Sequence, residues 1–279
     1  MKFFSTKKLS LISLLIVFTL CSLAGCSSSG SSTATPTPTI VTYKAGMYKI
    51  GTDLPAGEYI VIQKDSICSS TIAKDSSGSS SSIIALDIIY NRFFVTVSEG
   101  QYWTVSGGII YNAKDAPKVT ATDGKYPEGG YKIGTDIPAG EYVVVQNDNI
   151  CSLEIAKDST CFTSSLIGIE IVPGRSYVTV SAGQYLTVSG GNIYAAKDAP
   201  KVSATDGKYP EGCYKIGTDI AAGEYKVVKD DSLCSMTVTK DSTKLSSSIV
   251  SIKIVDSENY ITVKDGQYLL VSGGYIKAK

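Results

Sequence analysis

Short runs in which apolar and polar residues alternate fill most of this chain, each closed by Gly, Asp, Asn or Ser. In the middle third they fall at Tyr131–Ile133, Tyr142–Gln146, Cys151–Ala156, Leu166–Val172, Tyr177–Val180, Tyr185–Val188 and Ile193–Ala195. A period of two, β-branched and aromatic content and turn-rich borders predict strands. No stretch carries a useful 3.6-residue period, so no amphipathic helix is expected. The runs also repeat as a set. Tyr-Lys-Ile-Gly-Thr-Asp begins at Tyr48, Tyr131 and Tyr214, 83 residues apart each time, and Cys68, Cys151 and Cys234 keep that spacing. So do the Gly-Gln-Tyr triplets at Gly100, Gly183 and Gly266, with no insertion or deletion. A unit of this length is longer than solenoid repeats, and each copy should own a core. The expected fold class is all-β: three tandem antiparallel β-sandwich or jelly-roll-like modules of six or seven strands each. They are placed at 43–113, 126–196 and 209–279, with linkers at 114–125 and 197–208.

Comparing the copies assigns faces. Ile84, Leu86 and Ile88 align with Ile167, Ile169, Ile171 and with Val250, Ile252, Ile254, whereas Asp87 becomes Glu170 and then Lys253. That contrast predicts a half-buried strand whose aliphatic face points inward. Cys68, Ser70 and Ile72 align with Cys151, Leu153, Ile155 and Cys234, Met236, Val238, which predicts buried, inert thiols. Lys114–Gly129 and Lys197–Gly212 differ only at Thr120 against Ser203. Linkers usually drift fastest, so either the duplication is recent or these segments pack in defined junctions. In the packed reading Val119 and Val202 dock on the preceding module and Tyr126 and Tyr209 on the following one, giving a semi-rigid array.

The N-terminus sets an expected location. Lys2, Lys7 and Lys8 precede a short apolar core, Leu9–Leu20, and then Leu23-Ala24-Gly25-Cys26. The apolar core suits a secretory signal and is too short to be a permanent span. The tetrapeptide resembles the bacterial lipobox, which implies cleavage after residue 25 and a diacylglyceryl group on Cys26. Two acyl chains suffice for stable anchoring. Residues 26–42 would form a solvated Ser/Thr/Pro-rich tether. The leader holds three of the 26 basic residues and none of the 26 acidic ones, so the remainder carries a net charge of −3. No basic stripe invites nucleic acid.

The hairpin Gly51-Thr52-Asp53-Leu54-Pro55-Ala56-Gly57-Glu58-Tyr59 reads as a turn. Pro55 presets φ, Gly57 suits the last position and Asp53 caps turn amides. Asp136, Gly140 and Asp219, Gly223 repeat these roles, with Ala221 at the proline position of the third copy. The stretch resembles the opening hairpin of an uncharacterised module of bacterial lipoproteins and secreted proteins, with the pattern Tyr-x-Ile/Val-Gly-x-Asp-Ile-x-Ala/Pro-Gly-x-Tyr. The later Val-Thr-Val…Gly-Gln-Tyr segment matches as well. The resemblance spans all three copies and implies no assigned activity. Some relatives carry a Cys-Tyr-Trp and a late Gly-Cys pair; here Ser69 follows Cys68 and Ser106-Gly107-Gly108 has no cysteine, so that bridge is not carried over.

The chain contains no histidine, which removes Ser-His-Asp and Cys-His catalysis, histidine general bases and histidine metal sites. The recurring Asp53/Glu58 pair sits on a turn that offers no glycosidase cleft, and no dense run of oxygen ligands suggests calcium. No cofactor is expected. Of the seven cysteines, Cys21 leaves with the signal, while Cys161 and Cys213 have no counterparts in the other copies and their pairing is open. Tyr102, Tyr185 and Tyr268 follow Gly-Gln, with Trp103 next in the first copy; they are either sheet-covering residues or an aromatic platform for a sugar ring or peptide.

Three functions are weighed. The first is a non-enzymatic surface protein, anchored through Cys26, whose repeated modules bind an envelope glycan or an extracellular protein with avidity. The second is a passive spacer or envelope coat. A hydrolase using the Asp and Glu residues ranks last.

Overall fold

The computed structural model describes residues 40–277. The signal segment, Cys21, Cys26 and the tether through Thr39 lie outside the described residues. Ile40–Lys279 form one compact unit, built from three successive sandwiches of eight strands. The first contains β1 (Thr42–Tyr43), β2 (Gly46–Lys49), β3 (Gly57–Gln63), β4 (Ser69–Ala73), β5 (Ile83–Ile88), β6 (Arg92–Val97), β7 (Tyr102–Ser106) and β8 (Gly108–Asn112). The second contains β9 (Lys125–Tyr126), β10 (Gly129–Lys132), β11 (Gly140–Gln146), β12 (Ser152–Ala156), β13 (Leu166–Ile171), β14 (Arg175–Val180), β15 (Tyr185–Ser189) and β16 (Gly191–Ala195). The third contains β17 (Lys208–Tyr209), β18 (Gly212–Lys215), β19 (Gly223–Lys229), β20 (Ser235–Thr239), β21 (Ile249–Ile254), β22 (Glu258–Val263), β23 (Tyr268–Ser272) and β24 (Gly274–Lys277).

Each module pairs its strands in two four-stranded antiparallel sheets, with orders β1-β8-β3-β6 and β2-β7-β4-β5 in the first and the same orders in the other two. This interleaving of early and late strands is the jelly-roll arrangement. The eighth strand escaped the sequence pattern. It is the two-residue β1, β9 or β17, which pairs with the last strand of its module and is too short to show alternation.

The cores follow the period-two rule. In module 1, Tyr59, Val61, Val95, Val97 and Ile110 from one sheet meet Cys68, Ile72, Trp103 and Val105 from the other. Cys68, Cys151 and Cys234 are fully buried, and every described cysteine is a free thiol. Each buried sulfur sits against the second glycine of the Ser-Gly-Gly turn, where a Cβ on Gly108, Gly191 or Gly274 would approach within 2.9, 2.7 or 2.6 Å of it. The preceding Gly107, at φ +66°, lies so close to the Ile67 carbonyl that a Cβ would come within 1.9 Å. Module 1 fills the same volume differently. Trp103 replaces Leu186 and Leu269, Ser70 replaces Leu153 and Met236, and the indole N–H donates to the Ser70 hydroxyl at 2.8 Å. The larger ring and the smaller partner compensate, and the indole keeps its hydrogen bond.

Two expectations are corrected. The aliphatic stripe of β5, β13 and β21 does not face the core. Leu86, Ile88, Ile169, Ile171, Ile252 and Ile254 are each more than half exposed. The alternation is present, with its two faces exchanged. A β-bulge between Ile72 and Ala73 shifts the register, so that Ala85 pairs with Ile72 and Asp87 with Ser70 on the inner face, while Leu86 pairs with Thr71 on the outer one. A one-residue slip sends every side chain to the opposite face. Ile84 and Ile167 do pack against their cores. The second correction concerns the linkers. Val119 packs with Tyr126 on module 2, and Val202 with Tyr209 on module 3; both valines join the following core rather than the preceding one.

Candidate functional site

Two kinds of surface recur in the molecule: the junctions between modules and the exposed aliphatic strands. The junctions use outer sheet faces. On β3 and β6 the residues between the core positions are Glu58, Ile60, Ile62 and Arg92, Phe94, Thr96, paired across the ladder in that opposed order. They meet the outer face of module 2, where β10 and β15 contribute Lys132 and Tyr185 and the Asp158–Ser159 loop reaches in. Ile60, Phe94 and Tyr185 form a buried cluster flanked by Ala113, Ala116 and Ala156. The Phe94 and Tyr185 rings meet edge to face at 5.4 Å.

One carboxylate organises this contact. Glu58 accepts hydrogen bonds from Lys132 Nζ at 2.8 Å, from Ser159 Oγ at 2.9 Å and from Tyr185 Oη. Burial alone would raise the Glu58 carboxyl, but the bonds from Lys132, Tyr185 and Ser159 outweigh it and hold the group below its usual range. Burial opposes the Lys132 charge as well, yet its bond to Glu58 leaves it raised. Module 2 repeats the arrangement toward module 3. Glu141 accepts from Lys215 at 2.6 Å, from Ser242 at 3.0 Å and from Tyr268. Tyr177 replaces Phe94 and meets Tyr268 at 5.5 Å.

Arg92 and Arg175 cross each junction to Asp136 and Asp219, at 3.2 and 3.6 Å. Backbone bonds cross too: Thr96 N–H donates to the Ser159 carbonyl at 2.7 Å and Thr179 N–H to the Ser242 carbonyl at 2.9 Å. The free edge of β6 or β14 is therefore covered by the next module.

Beside each contact lies a cavity. The first, of about 130 Å³, is lined by Asp87, Phe93, Glu154, Cys161 and Tyr185 among others. Burial raises the Asp87 carboxyl, and burial together with the Asp87 charge raises that of Glu154. The second, of about 230 Å³, holds Glu170 and Lys244, which replace Asp87 and Cys161 and pair at 2.5 Å. The two cavities thus share position but not chemistry. Among the described residues no cluster of three His, Cys, Asp or Glu side chains is placed to hold a metal.

These placements resolve the candidate residues. Asp53, Asp136 and Asp219 accept the backbone N–H of Lys49, Lys132 and Lys215 at 2.7, 2.9 and 2.8 Å. Gly57, Gly140 and Gly223 open β3, β11 and β19 directly after the turn. The aromatic set is divided. Trp103 is fully buried in the core, and Tyr185 and Tyr268 are buried in the junctions. Tyr102 alone keeps a partly open ring. Sequence reasoning missed the junction role of Glu58, Lys132 and Arg92. The available signal was the step from Ile60 and Val143 to Lys226, and from Arg92 and Arg175 to Glu258.

The second surface is the aliphatic one. β5, β13 and β21 are outermost in their sheets, with Leu86/Ile88, Ile169/Ile171 and Ile252/Ile254 on the outer face. Ile67, Ile150 and Leu233, about 70% exposed at 71, 72 and 67%, sit at the loop tip two residues before Ser69, Ser152 and Ser235. Ser69 pairs with Ile88, so the loop lies at the end of the stripe in the ladder. No protein-family model matches the chain, and no curated protein matches it.

Proposed function

We propose that this chain is a non-catalytic, extracytoplasmic protein, held to the membrane through a diacylglyceryl group on Cys26, that captures a protein partner on the aliphatic stripes of its three modules. The observation that carries this reading is the same exposed stripe in every copy: Ile67-Leu86-Ile88, Ile150-Ile169-Ile171 and Leu233-Ile252-Ile254. Scattered single apolar residues need no explanation, but several exposed ones repeated at the same register in every copy point to an interaction surface. A partner with a complementary apolar patch gains avidity from three equivalent stripes. The bulge in β5 opposes edge-to-edge strand pairing, so contact runs through the side chains of the outer face. A glycan platform is the weaker reading, because two of its three tyrosine rings stack inside junctions.

Photo-crosslinking residues placed at Ile88, Ile171 and Ile254 on producing cells provide the test. The expected result is one partner of the same mass captured from all three positions and lost when Leu86, Ile169 and Ile252 are changed to Lys. No adduct from any position would favour a passive spacer, the reading that the junctions themselves support. Anchoring is tested separately: Cys26→Ala should abolish incorporation of labelled fatty acid.

A further inference from the structure

The two internal junctions define a plug and a socket, and among the described residues the socket face of module 1 and the plug face of module 3 have no mate. The plug face carries Glu58, Ile60, Arg92, Phe94 and Thr96, or Glu141, Val143, Arg175, Tyr177 and Thr179. The socket carries Lys132, Asp136, Ser159 and Tyr185, or Lys215, Asp219, Ser242 and Tyr268. Module 1 presents a socket, open among the described residues, at the matching positions Lys49, Asp53, Ser76 and Tyr102. Lys49 Nζ stands 5.9 Å from the Tyr102 ring centroid, against 5.2 and 5.4 Å for the filled sockets. The lysine and tyrosine are thus already arranged as they are around a bound glutamate. Among the described residues nothing supplies that carboxylate, and residues 1–46 contain no Asp or Glu.

Module 3 carries the complementary face, but altered. Glu224, Tyr260 and Thr262 keep the plug, while Lys226 stands where Ile60 and Val143 are buried and Glu258 where Arg92 and Arg175 stand. Lys226 and Glu258 pair with each other at 2.7 Å. Docked on module 1 of a second copy, Glu258 would face Asp53 at a site where the equivalent Arg92 and Asp136 side chains are 6% and 9% exposed. Two carboxylates brought together there repel, and Lys226 would lose its hydration against an apolar contact. Such a heterologous contact would otherwise propagate into open chains. The socket end also differs at one point. Met47 replaces Gly130, whose Cβ position lies 3.3 Å from Phe93 Cα, so an occupant must offer a small residue there.

We propose that the open face of module 1 is a docking socket for a β-sheet face of another protein. That face presents a glutamate to Lys49, Ser76 and Tyr102, an arginine to Asp53 and a small residue to Met47. Lys226 and Glu258 keep a second copy of this chain out of the socket. A polar outer face stops growth in tandem arrays; the plug face of module 3 carries such a change at Lys226 and Glu258, whereas the socket face of module 1 keeps Lys49, Asp53, Ser76 and Tyr102.

The test restores the internal junction residues in residues 40–279, the compact unit. Met47→Gly, Lys226→Ile and Glu258→Arg together should turn a monomer into concentration-dependent head-to-tail oligomers, followed by sedimentation velocity. Adding Lys49→Glu should weaken that association by about 30-fold or more. Lys49 is exposed and its side chain makes no hydrogen bond or ion pair among the described residues, so folding should be unaffected; circular dichroism checks it. A folded triple variant that stays monomeric would overturn the socket, as would oligomers indifferent to Lys49→Glu. Oligomers of the unaltered chain that Lys49→Glu dissolves would overturn the role given to Lys226 and Glu258, making a second copy the occupant.

Discussion

If Glu58 holds the first junction closed, Glu58→Ala should open that junction and leave the second alone. The carboxylate accepts from Lys132, Ser159 and Tyr185. Hydrogen bonds to a charged group are worth about 1.5–3 kcal/mol each when buried. The Lys132 and Glu58 side chains are 31% and 24% exposed, so solvent screens their attraction and lets the freed ammonium turn to water. The three bonds together should then contribute about 2–3 kcal/mol to closing the junction. That corresponds to a roughly 30- to 150-fold change in the opening equilibrium.

Native-state hydrogen exchange reads this directly, because exchange of a protected amide follows the free energy of local opening. The Thr96 amide donates across the first junction and the Thr179 amide across the second. Glu58→Ala should accelerate Thr96 by that factor and leave Thr179 within error. Glu58 pairs with Thr96 in the β3–β6 ladder, so a second variant on the other module separates a ladder effect from a junction effect. Tyr185→Phe removes one donor and should accelerate Thr96 by roughly tenfold, for about 1–1.5 kcal/mol. An unchanged Thr96 amide, or equal acceleration of both amides, would refute the reasoning.

Acid should loosen both junctions before the cores. Glu58 and Glu141 are held below the usual carboxylate range, so their contribution is complete above the unfolded value of about 4.3 and is lost as pH falls through the lower folded one; Thr96 and Thr179 protection, corrected for intrinsic exchange, should drop there first. Trp103→Leu should cost module 1 about 3 kcal/mol by leaving a cavity beside Ser70, and adding Ser70→Leu should recover more than about 1 kcal/mol by restoring the pairing of the other modules, measured as core amide protection. Burial pushes the Cys151 thiol up to about 11, so alkylation at pH 8 should leave it unlabelled until the chain is unfolded; rapid native labelling would place it outside the core.

Much of the fold was legible because alternation and a constant repeat length are local signals. The β11, β12 and β14–β16 runs, the buried cysteine face and the aspartate turn all follow from them. The exchanged face of β5 was not legible, because aliphatic identity at Leu86, Ile169 and Ile252 reads alike for a buried stripe and for an exposed one. The bulge that decides between them is a pairing event between β4 and β5, written in neither strand alone. Tyr185 and Tyr268 were visible as recurring aromatics, but their covering partners lie 127 residues away in sequence, at Glu58 and Glu141. One signal did point to the junctions. The position that reads Ile60, Val143 and then Lys226 is apolar in the two copies buried in a junction, and Arg92, Arg175 and Glu258 change charge at the same step.

That logic also accounts for the linkers. A segment that only spans a gap is free to drift, whereas this one is held at many points in both copies. Ala113 and Ala116 pack on the first junction cluster, and Ala196 and Ala199 on the second. Val119 and Tyr126, like Val202 and Tyr209, close the following core. Asp123 and Gly124, at φ +51° and +75°, make a tight turn closed by reciprocal Thr122–Lys125 backbone bonds, and Asp206 and Gly207 repeat it between Thr205 and Lys208. Glu128 and Glu211 each accept, at 2.8 Å, the backbone N–H of the Ser-Gly-Gly turn in the module that follows. The one position that differs, Thr120 against Ser203, is exposed in both. Pro117, Lys118 and Ala121 are exposed as well; the carbonyl of Pro200, the counterpart of Pro117, accepts from Arg175 at 3.2 Å, and nothing in the structure explains why Lys118 and Ala121 are kept. Elsewhere the segment is part of the junction it leads into, and its near-identity follows from the two junctions sharing one geometry: a Glu in one sheet face, a Lys-Tyr-Ser socket in the next, and a linker that sets the distance between them.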